Sequence, residues 1–238
     1  GDLVLVIDNF STGRRDNLVP HQNLQVFEGT IADEKLVNDA FDAFVPEHRS
    51  VSAEIFAAGQ NLPGAKLYSN KLFQMPTFAA FAYVLAVVPL GTAKAAVEQF
   101  TATMRNRAST YTGSRVAELG PVQARIAEAA ACVEFAETVI RRDWTDLEEA
   151  VERNEFPTME TKLRWKRNAA FATSLAVRSI DTLMPAAGAA GLSLQLPLQR
   201  QFRDIHAASS HIALTWDVHG AAYGQSALGL QPQGGLLL

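Results

Sequence analysis

Pro197-Leu198-Gln199-Arg200-Gln201-Phe202-Arg203-Asp204-Ile205-His206-Ala207-Ala208-Ser209-Ser210-His211, followed by Trp216-Asp217 and Tyr223-Gly224, is the stretch on which the fold turns. Proline at a first helical position gives up no intrahelical bond and presets φ, so a helix is expected to open at Pro197 and to run to about Gly224. Arg203-Asp204 reads as a helix-surface pair tying this helix to the core, with Arg200 in a similar role. His206 and His219 lie five before and eight after His211. The first spacing does not share a helix face, so no metal site is expected and His206 reads as structural.

Working back from Pro197, the Ala-rich chain shows three more long stretches of helical period. One runs from Thr158, an N-cap with Glu160 in its first turn, to about Ala187, with a stripe of Ala169, Thr173, Val177, Ile180 and Met184; Gly188 and Gly191 end it. A second runs from Gly120-Pro121 to about Arg142, with Val122, Ile126, Ala129, Val133, Ala136 and Ile140 on one face. The charge-rich stretch Arg141 to Arg153 reads as a solvated loop and short helix. A third covers about Thr77 to Arg107, with a break or kink expected near Pro89. Connections of this length suit an antiparallel four-helix bundle. Val45 to Phe73 has no clean period and reads as an extended connection, and the tail around Gln231-Pro232-Gln233 should be loose.

The 238 residues carry 21 Lys and Arg against 25 Asp and Glu, a net charge of −4. Both signs are scattered, so no nucleic-acid partner is expected. The single cysteine, Cys132, excludes an internal disulfide. Met75 to Ala93 carries no charge and is near the length of a bilayer span, but it reads as a buried bundle helix, and no membrane partner is expected. No targeting pattern opens the chain, so a cytoplasmic protein is expected.

The first 44 residues have another character. Leu3-Val4-Leu5-Val6-Ile7 is a continuous apolar run, as in a strand buried on both faces. Leu24 to Glu28 is a second short strand, and Leu36, Val37, Ala40, Phe41 and Phe44 have helical spacing. Val6-Ile7-Asp8-Asn9-Phe10-Ser11-Thr12-Gly13 and Gln25-Val26-Phe27-Glu28-Gly29-Thr30 resemble the second and third strands, with their loops, of nucleotide-sugar epimerases and dehydratases. This segment, 1–44, therefore reads as a short βαβ-like Rossmann fragment. The resemblance implies that Asp8 would meet the ribose of NAD. However, Thr30 stands where the family has an acid, and no glycine-rich phosphate loop precedes Asp8. Tyr68 and Lys71 are three apart rather than the four of the family's catalytic pair, so NAD is not expected as a cofactor.

The remainder, 45–238, resembles the C-terminal helical domain of the acyl-CoA dehydrogenase superfamily, continuously to about Leu230. Val45-Pro46-Glu47-His48-Arg49 is similar to the strand leaving that superfamily's middle β-domain, and epimerases can carry Pro-Glu-His at a like point, so the join falls where both families agree. Pro89-Leu90-Gly91-Thr92-Ala93 and Pro121-Val122-Gln123-Ala124-Arg125 resemble openings of bundle helices. The Pro197–His211 run resembles the flavin-dependent monooxygenase branch, which includes phenol hydroxylases, steroid-ring hydroxylases and amino-sugar N-oxygenases. In that branch a reduced flavin, FAD or FMN, is supplied by a separate reductase and activates oxygen for a small-molecule substrate.

The resemblance implies a catalytic histidine at His211, which would take a proton from a phenol or donate one to the activated oxygen. It implies flavin contacts at Ser209 and Ser210, a pyrophosphate contact at Arg107, and a turn at Gly188 and Gly191 approaching the cofactor of a neighbouring subunit. It also implies a homodimer or homotetramer. No counterpart of the family's N-terminal helical domain or middle β-domain is read, so weak or no turnover is expected from this stretch alone. Two other readings stay open: a protein related to NAD-dependent epimerases, and a non-catalytic helical oligomerisation module.

Overall fold

The computed structural model describes residues 4–11, 14–44, 77–109 and 112–232. The connection from Val45 to Phe73, with the Val45–Arg49 join, Tyr68 and Lys71, lies outside them, as does the tail from Gln233. The chain forms two compact units, Gly1–Ser52 and Ala53–Leu238.

In the first unit β1 (Val4–Asp8) and β2 (Leu24–Glu28) pair in parallel, Val4 against Leu24 and Asp8 against Glu28. A 3-10 turn, Arg15–Asn17, lies between them, and α1 (Glu34–Phe44) follows. Asp33 Oδ1 accepts from the Leu36 amide at 3.1 Å, satisfying an N-terminal donor of α1. The sequence predicts β1 buried on both faces. Instead Val4 is 51% exposed and Leu5, Val6 and Ile7 are half-buried, because the two described strands and one helix of this unit cannot cover both faces of the sheet.

The second unit is mainly helical: α2 (Thr77–Asn106), α3 (Gly120–Glu152), α4 (Met159–Ala187), α5 (Pro197–Ser209) and α6 (Trp216–Ala227). α4 packs on each of the other four. Side-chain bonds fix the directions. Arg164 meets Asp146 and Arg178 meets Glu128, so α3 and α4 are antiparallel. Tyr83 meets Asp143 and Lys94 meets Glu137, so α2 and α3 are antiparallel too. His206 meets Asp181, and the Phe171 and Trp216 rings meet at a tilt with centroids 5.2 Å apart, so α5 and α6 both descend along α4. The result is an up-down-up-down bundle whose fourth rod is α5 plus α6.

Three local expectations are corrected. α2 runs unbroken through Pro89, whose ring is fully buried; core packing on both sides of the proline offsets the lost backbone bond. α3 continues ten residues past Arg142 to Glu152, so Arg141–Arg153 is not a loop and a short helix. Asp143, Leu147 and Val151 extend the buried stripe of Ala136 and Ile140 at helical spacing, while Arg141–Glu137 and Arg153–Glu149 pair four apart on the outside. The fourth helix is not continuous to Gly224 but breaks at Ser210. Asp204 pairs with Arg200 at the surface, at 3.6 Å, in place of Arg203.

The core holds one polar knot. Asp143 is fully buried; its Oδ2 accepts from the Tyr83 hydroxyl at 2.6 Å and from Asn168 Nδ2 at 2.6 Å, and its Oδ1 accepts from Arg142 at 2.7 Å. Burial and then the adjacent Asp143 carboxylate push the Tyr83 phenol well above its ordinary value, so it stays a donor. α2, α3 and α4 are joined at this point. Cys132 is buried on α3, and burial pushes its thiol up from the ordinary value. The helix Ala80–Asn106 is long and apolar enough to cross a membrane. Here Tyr83, Ala86, Ala93, Ala96, Phe100 and Met104 bury one face of it in the bundle.

Candidate functional site

His211 sits where the fourth rod breaks. Both serine hydroxyls ahead of it, Ser209 and Ser210, donate to the His206 carbonyl at 2.9 Å, competing with the helix's own last-turn bonds. His211 then caps a 3-10 turn, Ile212–Leu214: its Nδ1 accepts from the Ala213 amide at 3.2 Å. Thr215 Oγ1 donates back to the His211 carbonyl at 3.2 Å, and α6 restarts at Trp216. The exposed imidazole stands on the rim of a hollow of about 390 Å³ lined by Leu85, Val88, Ala207, Ala208, Ser210 and Leu214. The Phe81 ring flanks it, 6.4 Å between centroids.

Arg107 follows the last residue of α2. Its Nη1 donates to the Ala187 carbonyl at 3.0 Å, capping the last turn of α4. The sequence reading did not foresee this contact. Arg107 and Gly191 line a pocket of about 510 Å³ with Gln99, Phe100, Leu198 and Gln201. At Gly191 a Cβ would lie 2.8 Å from the Ala187 Cβ, so glycine is required there by close approach; Gly188 is required by its φ of +62° at the helix end. Gln201 is 9% exposed, and its Oε1 is buried with no hydrogen-bond partner among the described residues, although its Nε2 donates to Gln99 at 3.2 Å. α5 also starts at this pocket with no side chain capping its free amides. A guanidinium, open helix amides and a stranded acceptor together suit an anionic ligand that also carries hydroxyl or amine donors.

The structure thus groups Ser210 with His211, and Arg107 with Gly191. Along α2 the nearest lining residues of the two hollows, Val88 and Ala96, are eight residues apart, about 12 Å of helix. Ser209 is half-buried beside the first group. Asp8 stands in the separate N-terminal unit, where its Oδ1 accepts from the Phe10 amide at 2.7 Å and so closes its own loop. Among the described residues no group of three His, Cys, Asp or Glu is placed to hold a metal ion.

Beneath the His211 turn lie two groups whose burial the sequence reading did not foresee. His219 on α6 is 3% exposed, and its Nε2 is 3.2 Å from the Ile212 carbonyl. Burial pushes its pKa below the ordinary value, and the charge of Lys166 on α4 adds to this. Lys166 is 4% exposed, and burial pushes its ammonium down to about 8. The one available signal was weak: Lys166 falls on the stripe of Ala169 and Thr173 at helical spacing, but its charged neighbours Lys162, Arg164 and Arg167 make that turn look solvated.

Residues 83–216 match the family described as acyl-CoA dehydrogenase, C-terminal domain. The chain belongs to this family. Curated relatives of this acyl-CoA dehydrogenase-type bundle are oxygenase components. The p-hydroxyphenylacetate 3-hydroxylase oxygenase component of Acinetobacter baumannii is 34% identical over 83% of this chain and 46% of its own length. The FADH(2)-dependent resorcinol hydroxylase oxygenase component of Rhizobium sp. is 33% identical over 81% of this chain and 49% of its own. Among solved structures, XiaF from Streptomyces sp., in complex with FADH2 and glycerol, superposes with a TM-score of 0.71 at 29% identity, covering 80% of this chain and 48% of that one. The chain spans about half the length of the curated relatives it matches.

Proposed function

We propose that this bundle is the helical half of a flavin-dependent monooxygenase that acts on a small phenol-like molecule. The observation that carries the reading is His211, held by its own turn on the rim of an apolar hollow, in a chain whose relatives are oxygenase components. Reduced flavin, when bound, supplies the electrons that activate oxygen for insertion into the substrate. The residues at the hollow fit one edge of such a ring. Leu85 and Leu214 give it an apolar wall, and Ser209, Ser210 and His211 offer hydrogen bonds. Each serine hydroxyl is spent as a donor on the His206 carbonyl, and its lone pairs remain free to accept. Arg107, Gly188 and Gly191 fit a phosphate-bearing chain, for which Arg107 has four further N–H groups that meet no acceptor among the described residues.

On this reading one chain's Arg107 pocket serves the flavin whose ring lies in another copy, as the family resemblance implies, and the working form is a dimer or tetramer. The reading also calls for a flavin reductase as partner and for a cytoplasmic setting. The test is to titrate FAD and FMN, oxidised and reduced, into the purified chain and follow fluorescence and absorbance. Binding that weakens about tenfold or more in His211→Ala or Arg107→Ala supports the reading, each lost contact being worth on the order of 1.4 kcal/mol. Absence of binding for both flavins overturns it in favour of a non-catalytic assembly module.

A further inference from the structure

The turn that carries His211 is held from below. The Ile212 carbonyl can only accept, so the His219 Nε2 that lies 3.2 Å from it carries the hydrogen. The same turn is closed by the Leu214 amide on the His211 carbonyl at 2.8 Å and by Thr215 Oγ1 on that carbonyl at 3.2 Å. Ala213 and Leu214, between them, are buried. In this frame the Ala213 N–H points at His211 Nδ1 and occupies its lone pair. An imidazole whose Nδ1 accepts must carry its hydrogen on the other nitrogen when neutral.

We propose that His219 is a positioning residue for His211: by donating to the Ile212 carbonyl it fixes the 211–214 turn, so that the neutral His211 presents Nε2–H to the hollow as a hydrogen-bond donor. The ring then serves an acceptor oxygen there, such as a phenol oxygen or a carbonyl, and does not act first as a base. Of the two roles the resemblance leaves to His211, the geometry selects donation. Its importance rests on the reading of His211 as the site's reacting group, but the arrangement itself needs no cofactor. His219 stays neutral because it is buried and because Lys166 faces it from α4. Charging the ring would add a second cation beside that lysine.

The test is nitrogen NMR on protein labelled with ¹⁵N-histidine at about pH 8, above the ordinary histidine range. The chain has five histidines, and His211→Asn identifies the signal. The expected result is an Nε2–H population of His211 about fivefold further biased than in the urea-unfolded chain, the effect of one added hydrogen bond. His219→Gln, whose amide nitrogen can replace Nε2, should keep that bias. His219→Leu should return it to the unfolded mixture and speed exchange of the Ala213 amide. A wild-type His211 with the unfolded mixture, or with the hydrogen on Nδ1, overturns the proposal. So does a folded His219→Leu that leaves both readouts unchanged. If the leucine variant does not fold, the wild type and His219→Gln decide, and loss of the bias in the glutamine variant counts against the proposal. None of these readouts involves flavin, so failure here and failure of flavin binding are separate results.

Discussion

Lys166 is 4% exposed on the buried side of α4, and among the described residues neither a hydrogen-bond acceptor nor a carboxylate meets its amine. Burial, and less so the charge of Lys162, brings its pKa down to about 8 from 10.5. The folded protein therefore releases this proton at lower pH than the unfolded chain. Below about pH 8 both states are charged and the desolvation cost is present in full. From about pH 8 to 10.5 the unfolded chain binds more protons, so stability rises with pH through that window. Lys166→Met should raise stability at pH 7 by on the order of 1–3 kcal/mol. The gain should shrink as denaturation is repeated up to about pH 10; a gain independent of pH would refute the argument. Other single residues were legible in advance. Thr158 caps α4 as its sequence context predicts, accepting from the Thr161 amide at 3.2 Å. Burial of Lys166 and His219 was not legible, because both depend on where α6 lies against α4, and no local pattern encodes that.

The elements were legible wherever an apolar stripe and a terminal signal agreed. Pro121, Thr158 and Pro197 each mark a helix start, and β2 spans Leu24–Glu28 as its composition implies. The failures had two physical causes. In α3 the charges of Arg141–Arg153 masked a buried stripe that Leu147 and Val151 carry on. After α5, hydroxyl and imidazole bonds to the backbone stop a helix that periodicity would have continued. That break is what brings His211 to a rim in place of a helix flank. The 188–192 turn is the other element on which the proposed function depends. In Gly191→Ala the new Cβ, 2.8 Å from that of Ala187, must push the turn away from α4. We expect a loss of about 1–3 kcal/mol by urea denaturation and weaker flavin binding, with the His211 signal unmoved. Unchanged stability would show that the turn yields freely.

For the bundle as a whole, the up-down-up-down order followed from four periodic stretches and short connections, whereas the exposed surface did not. On α2, Phe81, Val84, Val87 and Val88 remain exposed, Val84 at 56% and Val88 at 58%. A run of uncovered branched side chains on a central helix marks a contact surface. It leads us to expect dimers or tetramers by light scattering at micromolar concentration. A clean monomer would leave the Arg107 pocket without a flavin to serve and would remove the shared-site part of the proposal.

Cys132 gives the bundle a built-in clock. The chain's single thiol lies inside the bundle on α3, 6% exposed, with its pKa raised by burial. This burial slows labelling by an alkylating reagent, and labelling speeds when the helices part, so its rate follows those openings. The native sequence therefore reports how often the bundle breathes, without a substitution or an attached probe.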